Sequence, residues 1–364
     1  MSMRKSASST PFSSRVGTRF HSGSAGVTPE MCRKQVSFPW RNRDIRGFLV
    51  DCVSQALVSE RRLSIFLLAG LALFLTACAG SRVQERALPL ADVHLHFNWD
   101  HRELISADAV IAQLKRQSVQ LGVVFSTPSE LARELHAADP RRIIPLFSPY
   151  TTPTARHTWF GDADLPGKVR AALASGVYRG IGEVHLLPGI GPRRDNPVLL
   201  QLLALAAEFH VPFVIHTEAA SHRYFLRLCQ RFPGVRFQWA HAGGVLGPAE
   251  LAPLLDACPN VWLELSARDP WHYGNFADTD GTLSPAWRAF LIRYQRRILL
   301  GSDPVWNAHQ IDRWWEADEG WQHYAQLIAF HRRWLATLPP AVAERIRLTN
   351  ALDFYRHGGA RPSP

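Results

Sequence analysis

Cysteine is scarce in this chain, with five in 364 residues. That number excludes a small disulfide-dense scaffold, in which thiols hold together a core too small to stand alone. A glycine-rich phosphate turn is missing after the first apolar strand pattern, which argues against a dinucleotide-binding open sheet. Extreme charge is lacking too once the basic residues are located. The formal net charge is +10. Residues 1–62 hold eleven Lys/Arg against four Asp/Glu, and residues 63–77 hold none of either. From Cys78 onward thirty basic residues face twenty-seven acidic ones, a balance of only +3. The basicity belongs to the leader, so no nucleic-acid partner is expected for the chain beyond it. What is abundant is apolar material: 46% hydrophobic residues and twelve tryptophans, ample for a large core and unlike a fibrous or disordered chain.

The leader has a recognisable end. Arg61-Arg62 precedes the uncharged run Leu63–Ala77, and small residues come next in Ala77-Cys78-Ala79-Gly80. A positive pair, a short apolar stretch and small residues describe a secretory signal. Fifteen residues fall short of the roughly 20 that span a bilayer as a helix. Leu75-Thr76-Ala77-Cys78 resembles the lipobox of bacterial lipoproteins, which implies cleavage before Cys78 and acylation of its thiol. The chain is therefore expected in the bacterial cell envelope, lipid-anchored and facing the periplasm. Ala79 stands where an aspartate commonly retains such proteins at the inner membrane, so an outer-membrane address is expected. Residues 1–57 precede the signal's charged region by too much and are read as a spurious or disordered extension, with translation starting at Val58. The expected organisation is then a signal at 58–77, a linker at 78–89, a folded domain at 90–356 and a tail at 357–364. Cys229 and Cys258 are left, either bonded in an oxidising compartment or two buried thiols.

From residue 90 short apolar runs alternate with helical patterns. Strands are expected at Leu90–Phe97, Leu121–Ser126, Ile143–Ser148, Gly180–Leu186, Phe213–Thr217, Arg236–His241, Val261–Ser266 and Ile298–Asp303. Between them, Asn196-Pro197 and Ser284-Pro285 read as helix starts, a capping side chain followed by proline at the first helical position. Further helices are expected over Ser129–Ala137, Lys168–Leu173, Ser221–Arg231 and Ala249–Ala257. Eight strand–helix units in about 265 residues match a closed (β/α)8 TIM barrel of the α/β class, usually about 250 residues.

Metal-ligand side chains fall at the ends of these strands. His94-Leu95-His96 ends the first, and residues two apart on a strand share a side. Glu183 lies near the end of the fourth, His216 ends the fifth, His241 the sixth and Asp303 the eighth. A barrel gathers strand ends round one mouth, so four imidazoles and two carboxylates would share a site suited to zinc, with manganese or iron as alternatives. Buried charges there would be costly without a cation to pair with. His185 and Glu218, two residues beyond Glu183 and His216, lie on the same sides of their strands as ligand-orienting or rim residues. Arg268, past strand seven, would bind a substrate carboxylate or phosphate, or else pair with Asp269. Trp99 would line the pocket after strand one.

This arrangement resembles the amidohydrolase superfamily. Its surroundings, His241-Ala242-Gly243, Gly301-Ser302-Asp303-Pro304 and Asn350-Ala351-Leu352, resemble the branch containing aminocarboxymuconate-semialdehyde decarboxylase, while a glutamate at strand four is similar to TatD-like enzymes. The resemblance implies one or two divalent ions held by His94, His96, Glu183, His216, His241 and Asp303. It also implies a metal-activated water attacking an amide, ester, lactone or phosphoester of a small-molecule substrate. Asp303 would move the proton, and His241 would ligate the second ion or polarise the substrate. The alternatives are a non-oxidative decarboxylase, whose relatives generally hold one metal, and a metal-bearing lipoprotein that binds a ligand without turnover.

Overall fold

The computed structural model describes residues 87–186, 191–217, 221–306 and 317–356. Glu218, Cys78 and the segments 1–57, 58–77 and 357–364 lie outside them. All eight expected strands are present: β1 (Leu90–Leu95), β2 (Val119–Phe125), β3 (Ile143–Leu146), β4 (Ile181–His185), β5 (Pro212–His216), β6 (Arg236–Trp239), β7 (Val261–Glu264) and β8 (Ile298–Leu299). Every pairing is parallel, with β1-β2-β3 in one run and β4 through β8 in another. Backbone bonds close the two runs into a TIM barrel. Phe147 N donates to Gly180 O at 2.9 Å and Gly182 N to Phe147 O at 2.9 Å. On the other side, Val93 N donates to Leu300 O and Asp303 N to His94 O, both at 2.9 Å.

The strands divide their side chains between two cores, as a period of two requires. In β2, Leu121, Val123 and Phe125 fill the barrel interior, joined by Val93, Val214 and Leu299. Phe213, Ile215, Phe237 and Leu263 face outward and pack with the helices. The last helix, Asn350–Arg356, joins the inner cluster through Ala351, Phe354 and Tyr355. Arg236, which opens β6, donates to Phe354 O, so this helix covers the strands' starting ends. That leaves their finishing ends as the open mouth.

The helices follow their caps. Asn196 Oδ1 accepts from Leu199 N at 3.0 Å and Ser284 Oγ from Trp287 N at 3.3 Å, opening Pro197–Glu208 and Pro285–Arg293. The last long helix, Gly320–Ala336, is one the sequence pattern did not disclose. Cys229 and Cys258 are bonded, which decides between the two expectations for them. None of the helices among the described residues is long and apolar enough to cross a membrane.

Candidate metal centre

β1 carries His94 at its fifth residue, and His96 stands one residue after the strand. Two residues apart, both rings share a side, and their Nε2 atoms stand 3.2 Å apart. Each ring uses its other nitrogen elsewhere. His94 Nδ1 donates to Glu264 Oε2 at 2.8 Å, and His96 Nδ1 to the Phe125 carbonyl at 3.1 Å. Both Nε2 atoms are thereby left to face each other with lone pairs, an arrangement that needs a proton or a cation between them.

His241 and Asp303 sit beyond the ends of β6 and β8, not on them, and both have left-handed backbone, with φ of 55° and 50°. Such conformations are strained for residues with a Cβ and recur at functional sites. Here they swing the side chains into the mouth. His241 Nδ1 is held by Ser266 Oγ at 2.8 Å, and its Nε2 lies 3.2 Å from His216 Nδ1. Glu183 Oε1 is 2.7 Å from His216 Nδ1, 3.5 Å from His241 Nε2 and 3.7 Å from His94 Nε2, and its Oε2 is 3.7 Å from His96 Nε2. Asp303 Oδ1 lies 3.3 Å from His96 Nε2 and 3.6 Å from His94 Nε2, with Oδ2 3.9 Å from His241 Nε2. The six residues expected to converge do so.

These spacings fit a shared ion. Nitrogen and oxygen ligands about 2.1 Å from a tetrahedral centre lie about 3.4 Å from one another. Three overlapping trios bring their ligand atoms within 4.8 Å of one another, His94-His241-Asp303, His94-His96-Glu183 and Glu183-His216-His241. Asp303 Oδ1 is buried and has no hydrogen-bond partner, a costly state for a carboxylate oxygen unless a cation meets it. The donor set therefore fits one or two divalent cations, with Glu183 placed to reach both halves.

Charge balance points the same way. Burial opposes ionisation of Asp303, but His94 and His96 outweigh it and hold the carboxyl far below its usual range. Burial likewise opposes Glu183, which His216, His94 and His185 pull well down. Burial disfavours a charged His94, yet Asp303, Glu264 and Glu183 raise it to about 10. Carboxylates in this cup thus demand positive charge from protons or from metal.

Two supporting carboxylates were not singled out from sequence. Glu264 closes β7, fully buried, and binds His94 Nδ1 while accepting from Ser266 Oγ at 2.8 Å. Through Ser266 it also orients His241, so one carboxylate fixes ligands from β1 and β6. Gly301 makes room for it, since a Cβ there would collide with Glu264 and with His94. Asp92 Oδ1 accepts from Ser302 N at 2.9 Å and His94 N at 3.3 Å, with Tyr324 OH donating to Oδ2 at 3.0 Å. It ties the His94 strand to the segment that carries Asp303.

The remaining expected residues fall in different places. His185 is in the cup, with Nε2 3.8 Å from Glu183 Oε2 and its ring stacked on His216 at 4.4 Å. Burial and the neighbouring His216 push its imidazole well below the usual range, toward the neutral form. Arg268 is fully buried, donates to Leu246 O at 2.7 Å and lies over Trp287, with Nε and Nη1 unpartnered. It does not pair with Asp269, whose carboxylate is taken by His272 Nδ1 at 2.9 Å. Trp99 is half-buried against the outer core, its backbone N donating to Thr127 O at 3.0 Å.

A family profile described as Amidohydrolase matches residues 91–357. Among solved structures, an uncharacterised TIM-barrel protein from Bordetella bronchiseptica is similar at 16% identity, over 70% of this chain and 84% of that one, with a TM-score of 0.48. An amidohydrolase from Burkholderia multivorans with bound zinc is similar at 15% identity, over 74% and 99%, with a TM-score of 0.47. A probable 2-pyrone-4,6-dicarboxylic acid hydrolase from Acinetobacter baumannii, with citric acid bound, is similar at 14% identity, over 74% and 100%, with a TM-score of 0.43. No curated protein sequence matches the chain.

Proposed function

This chain belongs to the amidohydrolase family, and from that premise we propose that it is a metal-dependent hydrolase of an amide, ester, lactone or phosphoester bond in a small-molecule substrate. The observation that carries the reading is the convergence of His94, His96, Glu183, His216, His241 and Asp303 at shared-ion spacing. Zinc is the proposed metal, because nitrogen-rich ligand sets with carboxylates suit it, manganese and iron being the alternatives. Such an ion, when bound, brings the pKa of a coordinated water to about 7.

The protein's own groups do the rest. His94, His96 and Asp303 would hold one position, and Glu183 with His216 would hold the second or shared one. His241 would ligate there or polarise the substrate oxygen. Asp303, one oxygen of which would meet the ion, would take the proton of the attacking water and return it to the leaving group. Arg268 is proposed to receive an anionic group of the substrate through its unpartnered Nε and Nη1. Glu183 reaching both halves of the ligand set favours two ions, and with them hydrolysis over single-metal decarboxylation.

We place the enzyme in the bacterial envelope, anchored through Cys78 and facing the periplasm. The Cys229–Cys258 bond supports an oxidising compartment. Metal analysis of the purified chain, followed by a panel of esters, lactones, amides and phosphoesters, tests the chemistry. Two equivalents of zinc with turnover are expected, and a correctly folded protein that binds no divalent metal would sink the reading. Labelled fatty acid should enter the wild type and not Cys78→Ser.

A further inference from the structure

Five imidazoles face the cup, and hydrogen bonding separates one from the rest. His94, His96 and His241 each have Nδ1 held on the outside, by Glu264, by the Phe125 carbonyl and by Ser266, and turn Nε2 inward. His216 points Nδ1 at Glu183. His185 is wired the opposite way, and the reason is Tyr150.

Tyr150 is buried, and its hydroxyl makes two bonds, both to His185. The His185 backbone N–H donates to the phenol oxygen at 2.7 Å, a bond whose direction is fixed because an amide nitrogen cannot accept. The buried hydroxyl hydrogen needs an acceptor of its own, and the other neighbour it has is His185 Nδ1, at 2.8 Å. Nδ1 is therefore an acceptor, and in the neutral ring the hydrogen sits on Nε2. That Nε2 faces the cup, 3.8 Å from Glu183 Oε2, too far for a hydrogen bond to it. Stacking on His216 fixes the plane of the ring.

We propose that His185, locked by Tyr150 as the Nε2–H tautomer, is not a metal ligand but the donor that binds the substrate's carbonyl oxygen and steadies the negative charge gathering on it. This rests on the hydrolase reading and narrows it to acyl compounds, in which a carbonyl oxygen becomes anionic under attack. The donor is preorganised, because Tyr150 and His216 hold it before substrate arrives, and it keeps its proton throughout. The wiring also explains why an imidazole two residues from a ligand need not be one.

The test uses the zinc-loaded full chain with isotope-labelled histidine, read by nitrogen NMR. His185 should show an unprotonated Nδ1 and a protonated Nε2, assigned by their loss in His185→Leu, and Tyr150→Phe should lose the fixed pattern. A hydrogen on Nδ1 in the wild type overturns the proposal. Both His185→Leu and the milder His185→Gln should keep the wild-type zinc stoichiometry, and loss of an equivalent would make His185 a ligand and overturn it too. With δ-valerolactone or p-nitrophenyl acetate as probe, His185→Leu should lower kcat about 100-fold with KM within about threefold. His185→Gln, which can still donate, should recover part of that loss, whereas an unchanged kcat in His185→Leu overturns the assignment. A wild type inert toward both probes would count against the hydrolase reading, while the tautomer and zinc outcomes still decide whether His185 is a metal ligand or a fixed Nε2–H donor.

Discussion

Asp303 combines three properties that rarely coincide: a buried oxygen without a hydrogen-bond partner, left-handed backbone, and imidazoles on both sides. Replacing it by Asn preserves shape and one oxygen donor but removes the basic carboxylate. Turnover should fall by about 10²–10⁴-fold while much of the metal is retained, as steady-state kinetics beside metal analysis will show. Glu264 acts at one remove. Glu264→Gln weakens the grip on His94 Nδ1 and Ser266, and metal affinity, measured by competition with a chelator, should drop about 10–100-fold. The six converging residues were legible because each sets a titratable side chain at the finish of an apolar run. Glu264 ends β7 in the same way, in Val261-Trp262-Leu263-Glu264, and that shared position was the signal that could have found it. Tyr150 offered none. It lies 35 residues before His185 in a loop, and only the folded backbone brings its hydroxyl to that ring.

Strands buried on both faces appear in a sequence as short apolar islands, which is why all eight were legible. Their limits were less so. His241 and Asp303 were placed on β6 and β8, but pairing stops earlier, at Trp239 and Leu299, and left-handed turns then aim the two side chains. A turn of that kind leaves no periodicity to read. The helix Gly320–Ala336 was missed because its buried face is broken by His331, and because the eight-unit pattern was already complete. Between β7 and the next helix, His272 is held by Asp269 and reaches the Val305 carbonyl at 2.7 Å, bracing the segment behind Asp303. Burial alone would lower its pKa, but Asp269 outweighs burial and raises it to about 9. A pKa raised on folding gives stability that is complete below the unfolded value near 6.5 and fades as pH rises through 9. Denaturant titrations should therefore show stability falling between neutrality and pH 10, with a flatter profile in His272→Gln. The Cys229–Cys258 bond closes a separation of 29 residues between the helix His222–Arg231 and the approach to β7. Replacing both cysteines by serine should cost about 2–4 kcal/mol in the same titrations.

At the scale of the molecule, fold and charge are compatible with the proposed export and hydrolysis. The barrel needs no partner to close, and the described part buries its long apolar runs. The net charge of +3 after Cys78 is the ground on which no nucleic-acid partner is expected. Substrate choice was not legible, because it depends on loops at the mouth, whose side chains answer to shape and not to periodicity.

The barrel's staves meet at two seams, Phe147 against β4 and Leu300 to Asp303 against β1. His94 and His96 stand on the three-strand side, whereas Glu183, His216, His241 and Asp303 stand on the five-strand side. An ion gripped by both sets would work as a rivet across the joints. Stripping it with a chelator should speed amide exchange first at Phe147, Gly182 and Asp303, well before the interior of β5 loosens. Uniform acceleration across all eight strands would mean that the ion steadies the cylinder as a whole and not its joints.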